Sequence, residues 1–173
     1  MHNTYSRDFA DQVFMRLPRF GLSETMGQTV QLTENVEMYL KYIHLLSQAH
    51  GGPAKTGEVS HHLGVTPSSV TEMLDRLQDE SFLKHEKYQG ASLTKKGRDV
   101  AVRILRRHCT MEYFLAQALG VPEGKYHDEA CEMEHVLSDD TAQRLRKLIN
   151  QPDTCPDCYD LEKLHCRHLS GKR

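Results

Sequence analysis

The chain has 173 residues, a formal net charge of −2, 38% hydrophobic and 27% charged residues. That mix suits a globular protein with one sizeable core or two small ones, and the total charge by itself gives no hint of a nucleic-acid partner, although local charge matters more. No apolar run approaches the roughly 20 residues needed to cross a bilayer, and Arg7, Asp8 and Asp11 interrupt any secretory-type stretch, so a cytoplasmic protein is expected. Five cysteines make no small disulfide framework and point instead to metal or redox roles.

In chain order, residues 1–28 carry Phe9, Val13, Phe14 and Leu17 at helical spacing before Pro18, Gly21 and Gly27, which predicts an amphipathic helix and a loose linker. A helix then starts after Thr33, an N-cap, and runs with the stripe Val36, Leu40, Ile43 and Ser47 to the stop His50-Gly51-Gly52-Pro53. Thr56 can cap a short helix over residues 57–63, closed by Gly64. Thr66-Pro67-Ser68-Ser69 then opens a second helix whose apolar face is Val70, Leu74 and Leu77. Helix, glycine turn and a helix opening on hydroxyl residues is the helix-turn-helix pattern; a generic pair of packed helices is the simpler alternative. Residues 82–93 predict a β-hairpin wing with its turn at Gly90.

Local charge agrees with DNA binding. Lys84, Lys87, Lys95, Lys96, Arg98, Arg103, Arg106 and Arg107 follow one another against only Glu86 and Asp99, enough to neutralise phosphates unless they are merely a solvated face. Candidate DNA contacts are Thr66, Ser68, Ser69, Thr71, Glu72 and Arg76 on the second helix and Lys87, Tyr88 and Gln89 on the wing. Glu72 would repel phosphate, so a groove-facing role requires a cytosine amino group or a water.

The next predicted helix runs from Thr94 to about Leu119 and is closed by Gly120. Its stripe of Ala101, Leu105, Leu115 and Leu119 is interrupted by His108 and Glu112. A carboxylate buried there needs a partner: either the two side chains form a hydrogen-bonded pair, or both ligate a metal. After a short Gly-Val-Pro-Glu-Gly connection, HDEACEMEH places His127, Cys131, Glu134 and His135 at helical spacing on one face. Imidazole, thiol and carboxylate there are donors for a borderline divalent transition metal.

Taken together, the segments around Val36–Leu40, Gly64–Leu74, Lys87–Gly90 and Arg107-His108, with HDEAC and EHVLSD, closely resemble the diphtheria toxin repressor family of iron- and manganese-dependent transcriptional repressors. The resemblance spans about Thr33 to Cys155. It implies a mainly α fold: a winged helix-turn-helix DNA-binding domain over residues 29–94, then a helical metal-binding and dimerisation domain over residues 95–150, acting as a homodimer on palindromic operator DNA. It places a primary metal site on Met38, Cys131, Glu134 and His135 and an ancillary site on His108, Glu112 and His127. Met with Cys is the iron-type pattern in the family, and soft donors suit Fe²⁺ better than Mn²⁺, with Co²⁺, Ni²⁺ or Zn²⁺ as surrogates in vitro. The expected function is thus Fe²⁺-dependent repression of iron-uptake genes. A manganese-responsive regulator is the alternative within the class, and a metal storage or chaperone protein the alternative outside it. No nucleophile or general-base motif suggests an enzyme.

Two features depart from the family. The chain is expected to end too soon for the small C-terminal β-barrel domain that completes the ancillary site in many iron-type members, so that site is completed by water, by Glu129, or stays weak. The tail over residues 151–173 instead carries Cys155, Cys158, Cys166 and His168, which suit a zinc or iron–sulfur knuckle as well as they suit a frayed tail of redox-sensitive thiols.

Overall fold

In the computed structural model, Thr33 caps helix α1 (Glu34–His50) by accepting a hydrogen bond from the Val36 amide, and Gly51 ends it in the left-handed conformation at φ 66°. Val36, Leu40 and Ile43 are buried along it, as their spacing predicts. The structure describes residues 32–151, 159–161, 165–167 and 169; the helix expected within residues 1–28 lies outside them.

Helix α2 (Thr56–Leu63) takes in Thr56, so this residue is not its cap. Lys55 holds the cap position, and the Glu58 carboxylate accepts its amide at 3.0 Å. Helix α3 (Pro67–Asp79) starts as predicted, with Thr66 Oγ1 accepting from the Ser69 amide at 3.2 Å and Pro67 in the first turn. Val70, Leu74 and Leu77 seal it against the core.

The wing is an antiparallel pair, β1 (Leu83–Glu86) and β2 (Gly90–Leu93), with Glu86 opposite Gly90. The turn therefore falls at Lys87, Tyr88 and Gln89, with Tyr88 at φ 67°, and not at Gly90. Gly90 serves a different purpose. Ala54 and Ala91 exchange backbone hydrogen bonds of 3.0 and 2.9 Å, and at φ +104° a Cβ on Gly90 would lie 2.4 Å from the Ala54 carbonyl oxygen. The glycine lets the segment after α1 dock on the wing.

Helix α4 (Lys95–Tyr113), capped by Thr94, passes into a π-helical turn over Phe114–Ala118. Ala101, Leu105, His108, Glu112 and Leu115 are buried as the stripe requires, but Leu119 is 59% exposed. The wider turn, with the Leu119 amide bonded to the Phe114 carbonyl, rotates this residue off the stripe. Helix α5 (Tyr126–Met133) ends one residue before Glu134, so the expected single helical face breaks there. Ser138 caps α6 (Asp139–Leu148), and a two-residue ribbon pairs β3 (Tyr159–Asp160) with β4 (His165–Cys166).

One hydrophobic core joins α1, α2 and α3 to the base of the wing and the first half of α4. A second gathers Leu45, Leu105, Cys109, Tyr159 and Cys166, and a third Met111, Leu115, Tyr126 and Ala130. Between them α1 and α4 share the most extensive helix–helix packing. The architecture is mainly helical, with a helix-turn-helix, a small wing and a following helical domain, as the sequence predicts. No helix among the described residues is long and apolar enough to cross a membrane.

Candidate metal centre and nucleic-acid surface

Three of the metal-type residues converge. One donor atom each of His108, His127 and Cys131 lies within 4.8 Å of the others. The Cys131 sulfur is 3.8 Å from His108 Nδ1 and 3.6 Å from His127 Nε2. A tetrahedral ion with bonds of about 2.3 Å to sulfur and about 2.0 Å to nitrogen holds such ligands roughly 3.6 Å apart, so the donors are spaced for a divalent transition metal.

Glu112 sits behind both imidazoles. Its Oε1 lies 3.0 Å from His127 Nδ1 and 3.1 Å from His108 Nε2, the ring nitrogens that face away from Cys131. Its Oε2 accepts the Cys166 amide at 2.9 Å. Its hydrogen bond with His127 Nδ1 fixes that ring's orientation and tautomer for a metal-facing Nε2, whereas His108 Nε2 is close without a hydrogen-bonding geometry. Glu134, fully buried just beyond α5, approaches His108 Nδ1 through Oε2 at 2.6 Å and accepts from Lys41 Nζ through Oε1 at 2.6 Å. His135 points elsewhere: Nδ1 is 2.7 Å from Glu37 Oε2, and Nε2, buried without a hydrogen-bond partner among the described residues, lies 3.3 Å from Glu134 Oε1. An unsatisfied imidazole nitrogen beside a carboxylate is a place open to a cation.

The electrostatics follow from this interlocking. Burial alone would raise the Cys131 thiol, but contacts with His108 and His127 and the charge of Lys41 bring it down to about 6, so it is a thiolate near neutrality. Burial would likewise lower His127, yet Cys131 and Glu112 lift it to about 9. Burial and the Lys41 charge oppose protonation of His108, but Cys131, Glu112 and Glu134 hold it well above the ordinary imidazole value. Glu112 and Glu134 are kept below the usual carboxylate range against their burial, in each case first by His108.

The resemblance divides seven residues between two sites, and the structure draws its closest cluster across that division, with Cys131 beside His108 and His127. Met38 is half-buried on α1, and the polar contacts from this helix to the centre come from Glu37 and Lys41. Sequence reasoning missed both: Glu37 and Lys41 stand four residues apart, the spacing of an ordinary solvent pair. Glu129 is exposed, and what touches Glu112 from the tail is the Cys166 backbone. Cys166 itself is fully buried with Tyr159, whose ring meets that of His108 at 5.3 Å. Cys155, Cys158 and His168 lie outside the described residues.

The candidate DNA contacts are displayed on the surface. Thr66, Ser68, Ser69, Thr71, Glu72 and Arg76 are all exposed along the start and outer face of α3. Thr66 Oγ1 lies 2.9 Å from both the Ser68 and Ser69 hydroxyls, Thr71 donates to the Pro67 carbonyl, and Arg76 pairs with Glu80 at 2.9 Å. At the wing tip Tyr88 is 89% exposed with the Lys87 ammonium 5.2 Å from its ring centre, and Lys55 Nζ donates to the Gln89 carbonyl at 2.7 Å, bracing the turn. The basic tract is more heavily countered than its sequence suggests, because Asp139 of α6 takes Arg107 at 2.9 Å and the Glu80 carbonyl takes Lys96 at 2.8 Å.

Residues 31–91 match the iron-dependent repressor N-terminal DNA-binding domain, and residues 94–160 match the iron-dependent repressor metal-binding and dimerisation domain. An uncharacterised HTH-type transcriptional regulator of Methanocaldococcus jannaschii is 37% identical over 115 residues, covering 66% of this chain and 92% of that protein. The iron-dependent repressor IdeR of Mycobacterium tuberculosis is 32% identical over 126 residues, 73% of this chain but only 54% of that one. The solved structure of the manganese regulator SloR matches with a TM-score of 0.62 at 34% identity, over 72% of this chain and 58% of that chain. The protein belongs to the iron-dependent repressor family of metal-dependent, DNA-binding transcriptional regulators and is not an enzyme.

Proposed function

We propose that this protein is an Fe²⁺-activated repressor of iron-uptake genes that binds palindromic operator DNA as a homodimer. The observation that carries the reading is the thiol of Cys131 between His108 and His127, with all three donor atoms within 4.8 Å. A thiolate favours Fe²⁺ over Mn²⁺ among physiological candidates, and Co²⁺, Ni²⁺ and Zn²⁺ follow as surrogates on affinity order. In this reading residues 29–94 read DNA, and residues 95–150 hold the metal and dimerise. Met38, Glu134 and His135 join Cys131 as donors, while His108 and His127 share the centre with Glu112 orienting the His127 ring.

When bound, the metal supplies a divalent charge shared by donors from α1, α4 and the α5 end. The chain's own residues then set the consequence. Glu37 and Lys41 tie α1 to the segment carrying Glu134 and His135, and α1 shares its core with the recognition helix α3. The orientation of α3 relative to the dimer axis is thereby linked to the metal centre, and a palindrome demands that two such helices reach half-sites about one helical turn apart. Metal raises DNA affinity by the factor with which it prefers that arrangement, and DNA raises metal affinity by the same factor.

A manganese-responsive regulator is the second reading, favoured by the likeness to the manganese regulator SloR. Anaerobic binding to a palindromic promoter fragment from the protein's own locus, with Fe²⁺ and Mn²⁺ titrated separately, separates the two. Activation by micromolar Fe²⁺ that is lost in Cys131→Ala supports the iron reading; activation by Mn²⁺ alone transfers the function to manganese. Metal binding with no effect on DNA affinity leaves a storage or chaperone role.

A further inference from the structure

Lys41 is 2% exposed, a depth at which a lysine is scarcely ever found without a partner. Its partners are two of the groups to which the metal is assigned above: Nζ lies 2.6 Å from Glu134 Oε1 and 4.0 Å from Cys131 Sγ. Within α1 the ammonium has one distant contact, the Tyr42 ring with its centre 5.7 Å away. Leu40 and Ile43 on either side fill the core, and an apolar side chain of the same length would extend it without any cost of charge burial. What the ammonium meets is the donor set itself: it sits 2.6 Å from the Glu134 carboxylate with the Cys131 sulfur 4.0 Å away, where those two donors turn towards a cation.

We propose that Lys41 is a tethered cation that occupies the metal's place on Glu134 and Cys131 in the metal-free protein and must be displaced when the metal binds. This rests on the metal-site reading above and deepens it. An ammonium and a divalent ion compete for the same oxygen and sulfur lone pairs, and the ammonium is held at high effective concentration by its own helix. Lys41 therefore keeps the metal-free centre assembled and weakens metal binding, setting the metal level at which the regulator responds. A side chain that only oriented Glu134 for the metal would act in the opposite sense, because outer groups that orient ligands strengthen binding. The sign of the effect decides between the two roles.

The experiment is an anaerobic Co²⁺ titration of the full chain, read by thiolate-to-cobalt absorption, for the wild type and Lys41→Met, with thermal melting of each metal-free protein. Lys41→Met and Lys41→Leu, the second of which brings no thioether donor, are both expected to bind Co²⁺ about tenfold tighter or more while their metal-free forms melt lower, and Lys41→Arg, which keeps the charge, is expected to stay near the wild type; tighter binding by Lys41→Met alone overturns the proposal. Equal or weaker binding by a folded Lys41→Met overturns the proposal and leaves the metal site intact. Absence of the thiolate–cobalt band in the wild type overturns the metal-site reading itself, and this inference with it. Should Lys41→Met fail to fold without metal, the wild type supplies the answer through amine-reactive labelling read by mass spectrometry. Lys41 is expected to be protected in the metal-free protein and labelled faster once Co²⁺ is bound; protection unchanged by Co²⁺ overturns the displacement.

Discussion

The proposed recognition face and the candidate metal centre both collect polar residues on helices, yet they obey different physics. On α3 and the wing tip the hydroxyls of Thr66, Ser68 and Ser69 satisfy one another in contact with water, and Arg76 and Lys87 keep local partners. At the metal centre Lys41, His108, Glu112 and Glu134 are all buried, so each charge depends on the placement of the next. Groups of the first kind can change without disturbing the fold and act only on a partner. Groups of the second kind carry stability and pH response together.

The contrast can be broken most severely at Glu112. Glu112→Ala removes the acceptor of both His127 Nδ1 and the Cys166 amide from a fully buried place, and is expected to destabilise the metal-free protein by about 3 kcal/mol or more. A urea midpoint equal to that of the wild type would show that the His127 ring is held by something else. Gly90→Ala tests the wing as a structural rather than a recognition element. Its Cβ would meet the Ala54 carbonyl at 2.4 Å at a positive φ, and thermal melting should register a loss of about 2 kcal/mol.

The pH response sharpens the comparison, because the resolved shifts of Cys131 and His127 arise where two half-buried groups face each other. The Cys131 thiol is depressed to about 6, so its contribution to the metal-free fold is present above its ordinary value and is lost as pH falls through about 6. His127 is raised to about 9, so its contribution is complete below the ordinary imidazole value and is lost as pH rises through about 9. Denaturant midpoints should therefore show the deficit of Cys131→Ala relative to wild type vanishing below about pH 6, and that of His127→Ala vanishing above about pH 9. A deficit that does not change with pH in either variant would mean the pair is held by packing alone.

The smallest effect belongs to the recognition face. Lys87→Ala should leave the melting temperature unchanged and lower the salt slope of DNA binding by about one. Arg76→Ala should do less, since Glu80 already engages the guanidinium. Equal slopes for the two variants would show that Glu80 releases Arg76 to a phosphate.

Local chemistry made much of the fold legible. Thr33, Thr66 and Thr94 cap helices, and Gly51 and Gly64 end them, because capping depends on a few adjacent residues. Cys131, Glu134 and the histidines stood out because donors occupied positions that a globular helix gives to leucine. What stayed hidden depends on partners distant in the chain. Gly90 looked like a turn residue, since its contact with Ala54 is not a local property. Lys41 drew no notice at all, since Glu134, the group it meets, lies 93 residues away. The π turn at Phe114–Ala118 left no mark on the apolar spacing except the one residue, Leu119, that it displaced.

The root of α4 has a mechanical consequence. A Cβ on Gly97 would lie 2.1 Å from the Phe82 carbonyl oxygen, Thr94 Oγ1 donates to the same oxygen at 3.0 Å, and the Lys96 ammonium sits 3.8 Å from the Phe82 ring centre. The helix is thus clamped to the base of the wing at one end and carries His108 and Glu112 at the other. At a rise of about 1.5 Å per residue, its length is roughly 28 Å. Between His108 and Gly97 the rod spans roughly 17 Å, so a tilt of about 5° at the metal end would swing the wing by about 1.5 Å, close to half of the roughly 3.4 Å between stacked base pairs. An adjustment among the donors that tilted this helix would be felt at the wing on the scale in which DNA sequence is spaced.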